Sequence, residues 1–182
     1  TVEEGGDADF VPDIAVRDGD VIEAAGATFE CVYTPGHTSN HICFALREEK
    51  ALFSGDHVMG WSTSVIVPPD GDMTDYLASL RKLLTRDDEI YWPAHGGPIR
   101  DPKAFVASFI AHRLEREAQV LAALRDGVAR IPDMVPRIYA GLDTRLHGAA
   151  GLSLLAHLIQ LVREGRVVTD AQPNLREIGR AH

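Results

Sequence analysis

Cysteine is scarce: the 182 residues contain only Cys31 and Cys43. They sit in separate apolar runs and lack the close spacing of a zinc knuckle or a redox pair, so both read as small buried hydrophobes. Long apolar runs are missing as well. The best candidate, "GLSLLAHLIQLV", is broken by His157 and Gln160 and stops far short of the roughly 20 residues that a membrane span needs. No basic, then apolar, then small-residue leader opens the sequence, which gives the expectation of a cytoplasmic protein without a membrane partner. Methionine is absent from the first position, where Thr1 stands, as expected of a processed chain or a piece of a longer one. Histidine is absent before His37.

What is present is ordinary globular composition, 45% hydrophobic and 25% charged, enough for one domain or one domain with a small appended module. The net charge of −9 is unevenly distributed. Residues 1–112 hold 8 Lys and Arg against 19 Asp and Glu, whereas residues 113–182 hold 10 against 8. The two parts also differ in pattern. "VIEAAGATFECVYT" and "HICFALREEKALFSGD" each read as two extended segments around a break, hence as hairpins. "MTDYLASLRKLLTR" changes period, with Met73, Tyr76, Leu77, Leu80, Leu83 and Leu84 on one helical face and Asp72 placed to cap it. "EIYW" is then a short strand and "PAHGGPI" a loop. From Asp101 onward the pattern is helical: a long helix closed by Gly127, a short helix in "PDMVPRIYAGL", a third in "AAGLSLLAHLIQLVREG", and a strand or hairpin arm in "RVVTD". That order suits a winged helix, with a domain boundary inside the long helix near His112.

Three potential ligands stand where an extended segment runs out into a loop: His37 after "YTPG", Asp56 in "LFSGDHVMG" and His95 in "YWPAHGG". Strand ends on one edge of a sheet converge, and imidazole nitrogen with carboxylate oxygen suits Zn²⁺ or Mn²⁺. Gly36, Gly55, Gly96 and Gly97 allow tight turns beside each ligand. A lone loop histidine is more often a surface or hydrogen-bonded residue, so the case rests on the ordered trio.

"TPGHTSNH", "LFSGD" and "YWPAHG", in that order and spacing, resemble the third, fourth and fifth motifs of the metallo-β-lactamase superfamily. "ASFIAHRLEREAQVLAAL" with a winged-helix-like tail resembles the β-lactamase-like protein 2 group, whose members include endoribonucleases. The resemblance implies an α/β fold, the C-terminal half of an αββα sandwich over residues 1–112, followed by a winged-helix-like domain over 113–182. It implies that His37 binds a first metal, that Asp56 bridges two metals and acts in catalysis, and that His95 binds the second, with two Zn²⁺ in a complete site and Mn²⁺ as an alternative. The chemistry implied is metal-assisted hydrolysis, with phosphodiester bonds of single-stranded RNA as the favoured substrate. The alternatives are a small-molecule thioester or ester, in the manner of glyoxalase II, or a non-catalytic fragment serving as a binding or scaffold module.

The sequence departs from the superfamily in lacking the His-x-His-x-Asp-His motif, so the chain alone is expected to be inactive. A half sandwich leaves apolar sheet exposed, which favours association into a homo-oligomer while the sequence leaves the oligomeric state open. Among the other histidines, His41 is expected to support its loop by hydrogen bonding and His57 to point away from Asp56. His112 and Arg113 fit a helix-joining role as well as a substrate role. His147 and His157 read as structural or exposed, and His182 is terminal. The candidate recognition helix, Ala149 to Glu164, offers Gln160 and Arg163 among many leucines, so it reads as a packing helix and sequence-specific DNA binding is not expected. Arg113, Arg116, Arg130, Arg137, Arg145 and Arg166 remain as a weak RNA-guiding surface.

Overall fold

The computed structural model describes residues 11–169. Over these residues five strands form one sheet in sequence order: β1 (Val21–Ala24), β2 (Ala27–Tyr33), β3 (Ile42–Leu46), β4 (Ala51–Gly55) and β5 (Ile90–Pro93). The first four pair antiparallel through the two expected hairpins, in a register that sets Val32 opposite Cys43 and Ala45 opposite Leu52. β4 and β5 run parallel, which requires a crossover. Helix α1 (Met73–Leu84) supplies it, and the Asp72 side chain accepts hydrogen bonds from the backbone N–H groups of Thr74 and Asp75 at its start.

The expected helical face of α1 is the buried one. Tyr76, Leu77, Leu80 and Leu83 pack with Val32, Cys43, Ala45, Leu52 and Tyr91 of the sheet and with Val106 and Phe109 of α2 (Pro102–Arg125). That long helix begins at Asp101, whose carboxylate accepts from the Ala104 N–H, and carries Pro102 in its first turn. α3 (Ile131–Ile138) and α4 (His147–Arg163) complete the described helices. A second apolar cluster joins Val120 and Ala123 of α2 with Met134, Val135, Leu154 and Leu161. The buried stripe of α2 therefore serves one cluster up to Phe109 and the other from Val120, and Arg113 and Glu117 are the buried residues between them.

α4 packs against α1, α2 and α3. Its Ala156 joins the first cluster, and Arg163 forms an ion pair with Asp72. This is the packing helix that its leucines predicted. The strand expected at 166–170 does not form over Arg166–Thr169. The Arg166 and Val167 N–H groups turn back to the Leu161 carbonyl and close α4, and Val168 is exposed. Residue 170 and His182 lie outside the described residues. No helix among those described is long and apolar enough to cross a membrane.

Candidate metal centre

Strand direction brings the three candidate ligands to one edge. β2 is antiparallel to β3, β3 to β4, and β4 is parallel to β5, so β2, β4 and β5 end on the same side of the sheet. His37, Asp56 and His95 lie in the loops that leave those ends. Two of these turns require glycine. Gly36 has φ 129°, and a Cβ there would lie 2.2 Å from the backbone N of Tyr76, because the first turn of α1 crosses directly over it. Gly55 has φ 53°, and a Cβ would lie 2.7 Å from His41 Nε2.

Asp56 and His95 meet, with Oδ1 and Nε2 3.5 Å apart. Asp56 Oδ1 is buried without a hydrogen-bond donor, a condition that costs stability unless something else satisfies the oxygen. His37 does not touch this pair, but its orientation is fixed. Its Nδ1 lies 2.8 Å from the Val65 carbonyl oxygen. A carbonyl only accepts, so Nδ1 carries the proton and Nε2 keeps its lone pair, the arrangement in which a histidine can bind a metal. Among the described residues no group of three or more His, Cys, Asp or Glu side chains is close enough together to hold a metal ion. The donors present thus fit part of a divalent-metal site: one unsatisfied carboxylate oxygen beside one imidazole, and a second imidazole in the ligating tautomer.

The neighbouring histidines behave as the sequence suggested. His41 hydrogen-bonds through Nδ1 to Thr34 Oγ1 at 2.8 Å. Burial first, then the nearby His37, pushes its pKa down to about 4, against the pull of Asp56. His57 turns away from Asp56 into the interior, its ring between His41 and Tyr76 at centroid distances of 5.6 and 4.7 Å. Burial holds it neutral, well below the usual imidazole range. Cys31 and Cys43 are free and buried, and burial raises the Cys43 thiol to about 12. His112 lies 3.3 Å from Arg116, His147 faces the Leu142 carbonyl, and His157 is fully buried in α4.

Three residues support this edge in ways the sequence does not indicate: Ser64 is not singled out there, Tyr76 reads as part of the buried face of α1, and Arg113 as a helix-joining, substrate or RNA-guiding residue. Ser64, Tyr76 and Arg113 all bond to backbone carbonyls of the segment that follows Asp56. For Arg113 a signal existed, since its spacing places it in the apolar stripe of α2 with Val106, Phe109 and Val120. For Ser64, in a loop without period, there was none.

Comparison with known proteins agrees with this architecture. A "Metallo-beta-lactamase superfamily" family model matches residues 2–95, and a "Beta-lactamase associated winged helix domain" model matches 131–176. The Lactamase-like protein adaB of Aspergillus niger is 33% identical over 176 residues, covering 89% of this chain and 54% of its own length. An Atrochrysone carboxyl ACP thioesterase of Aspergillus fumigatus is 40% identical over 112 residues, covering 62% of this chain and 34% of its own. A metallo-beta-lactamase family protein of Thermus thermophilus superposes with a TM-score of 0.76 at 28% identity, over 87% of this chain and 52% of that one. The chain thus spans about half the length of the first of these relatives and of that solved structure. With the superfamily match covering half of its residues and ending at His95, and the winged-helix match following, the chain belongs to the metallo-beta-lactamase superfamily.

Proposed function

We propose that the whole protein is a metal-dependent hydrolase of acyl thioesters, with His37, Asp56 and His95 as ligands contributed by this chain. The observation that carries the substrate class is the 40% identity to a relative named as an acyl-carrier-protein thioesterase. Zinc, or manganese in its place, suits the nitrogen and oxygen donors, and a bound ion would supply Lewis acidity toward a thioester carbonyl. The protein's own part is to aim the donors. Val65 fixes the His37 tautomer, and burial keeps water from satisfying Asp56 Oδ1. An open groove of about 500 Å³ beside the His95 loop, lined by Gly60, Gly97, Ile99 and Phe105 with Arg100 and Asp101 among its other residues, offers a partly apolar surface for an acyl or pantetheine chain. We place the domain boundary between Phe109 and Val120, where α2 passes from one apolar cluster to the other.

Single-stranded RNA, favoured from the sequence, gains no support from the surface. Of the six arginines, Arg137, Arg145 and Arg166 are paired with carboxylates, Arg113 is buried and Arg116 is bound to the Ile138 carbonyl, which leaves the exposed Arg130. Cations engaged in this way give a weak phosphate footprint.

The test is to assay the natural full-length protein with Zn²⁺ or Mn²⁺ on an acyl-N-acetylcysteamine thioester and on single-stranded RNA, beside Asp56→Ala. Thioester turnover that the variant loses supports the reading. RNA cleavage without thioester turnover returns it to phosphodiesters, and equal rates in both proteins remove Asp56 from the chemistry. The chain alone is expected to hold zinc weakly or below one ion per molecule, since no three donors converge among its described residues. Metal analysis after dialysis reads this, and two tightly held ions would mean that further donors complete the site.

A further inference from the structure

The segment between Asp56 and Ile66 has no regular secondary structure and carries two of the connections on which the candidate metal centre depends. The Ser64 hydroxyl, itself buried, lies within hydrogen-bond reach of the backbone carbonyls of both Asp56 and His57 and shares its single proton between them. The next carbonyl along, that of Val65, is the one that fixes the His37 imidazole. Two consecutive residues, Ser64 and Val65, thus support the Asp56 backbone after β4 and the His37 imidazole after β2. What holds Ser64 comes from elsewhere in the fold. Arg113 of α2 donates from Nη2 to the Ser64 carbonyl. Its guanidinium lies 5.3 Å from the centroid of the Tyr76 ring, whose hydroxyl donates to the His57 carbonyl at 3.0 Å.

Arg113 is an expensive choice at this position. It is 2% exposed, and among the described residues it has no carboxylate partner and leaves Nε buried without an acceptor. A methionine or leucine would extend the stripe of Val106, Phe109 and Val120 with no desolvated charge, and such replacements are often neutral or stabilising. Stability therefore does not account for the arginine. Fixing the loop does, because a charge-assisted bond to a carbonyl is about twice as strong as a neutral one and holds its direction.

We propose that Arg113 is the positioning residue of the metal centre: by holding the Ser64 carbonyl it fixes Ser64, whose hydroxyl ties down the Asp56 backbone, and with it the adjoining Val65, whose carbonyl orients His37. This rests on the reading of His37 and Asp56 as ligands. It also gives the helical part of the chain a role in the chemistry, since α2 runs on from Arg113 into the second apolar cluster. Outer contacts of this kind are worth about 10- to 100-fold in metal affinity.

The experiment uses the natural full-length protein with Arg113→Met, Arg113→Lys and Ser64→Ala, and two readouts. The first is amide hydrogen exchange without metal, comparing residues 56–66 with the core of α1. The second is Co²⁺ affinity followed by its absorption spectrum. Arg113→Met should speed exchange in 56–66 by about tenfold or more, leave α1 unchanged, and weaken Co²⁺ by about 10- to 100-fold, with an unfolding temperature that does not fall. Arg113→Lys, which keeps a donor, should restore most of the loop protection. A lowered melting temperature with uniformly faster exchange would make Arg113 an ordinary structural residue, and unchanged exchange in 56–66 would overturn the proposal outright. If the unaltered full-length protein binds no Co²⁺, the metal reading fails and the exchange data alone decide the role of Arg113. If Arg113→Met does not fold, Ser64→Ala must loosen the same segment, and protection retained there sinks the idea.

Discussion

The two faces of the sheet are built from the same strands and are almost equally apolar, yet they meet different surroundings. On one face Val32, Cys43, Ala45, Leu52 and Tyr91 are at most 2% exposed beneath α1 and α2. On the other, the register lines up Cys31, Phe44, Phe53 and Trp92 across β2 to β5, and although Cys31 is fully buried, Tyr33, Phe53 and Trp92 remain 39, 43 and 44% exposed. An antiparallel sheet with one face in water ordinarily alternates apolar with polar residues, whereas strands that read as continuous apolar runs belong to sheets covered on both sides. "ICFAL" and "ALF" do not alternate. Their composition therefore describes a sheet with two covers, of which the described residues supply one.

The contrast is tested most directly by truncating neighbouring residues of β4 that point to opposite faces. Leu52→Ala should cost roughly 2–5 kcal/mol, because the side chain is fully enclosed and leaves a cavity. Phe53→Ala, one position along, should cost about 1 kcal/mol or less despite deleting a larger group, since much of the ring already faces solvent. Urea denaturation of the two variants reads the difference. Equal losses would mean that the outer face is covered in solution.

Acid should attack the covered side next. His157 of α4 is fully buried, and burial first, then Arg113, Arg116 and His112, pushes its pKa from 6.5 down to about 3. The unfolded chain binds this proton below 6.5 while the folded chain refuses it, so the contribution to stability is intact above pH 6.5 and is lost as pH falls toward 3. By pH 5 the loss is about 2 kcal/mol. His157→Leu should flatten the pH dependence of unfolding between pH 7.5 and 5 by that amount, and an unchanged slope would assign the acid sensitivity to other groups.

A smaller effect is expected where α4 meets the start of α1. Asp72→Ala removes the cap from Thr74 and Asp75 as well as the partner of Arg163, and should cost about 1 kcal/mol. Arg163→Ala removes only a bond whose arginine is 62% exposed, and should cost about 0.5 kcal/mol or less. Equal costs would show that the ion pair, rather than the cap, carries the contact.

The parts legible in the sequence are those with a period or a cap. Both hairpins, the buried face of α1 with Asp72, and the long helix from Asp101 to Gly127 follow from spacings of two and of three to four residues. The shared edge of His37, Asp56 and His95 was also legible, because each follows a strand. Distances along that edge were not, since they depend on loops such as 56–72 in which neither period operates. Arg113 shows the boundary: its burial could be read from the stripe in α2, but its partner is Ser64, 49 residues away, and no local pattern connects them. At Val167 and Val168 the β-branched residues suggested a strand, and the closing turn of α4 prevailed.

The smallest expected change in stability comes from the open face, and it carries the most information about what covers that face. Trp92 stands beside Phe53, whose ring centroid is 6.3 Å from that of Phe29, so that aromatic groups from three strands adjoin. We propose that this patch drives association between copies of the chain, because contiguous apolar area of this kind is seldom left in water. Trp92→Lys places a charge in the middle of such a contact while removing little that the folded chain buries. Unfolding free energy measured in dilute solution should then change by only about 0.5 kcal/mol. Sedimentation at tens of micromolar should behave differently, with the parent chain running as a dimer or larger species and the variant as a monomer. A parent chain that is already monomeric would rule out self-association as the cover. A variant that still associates would move the contact to another surface. Only a shift in assembly with stability held constant fits an outer face that is shaped for a partner layer and plays almost no part in holding this chain folded.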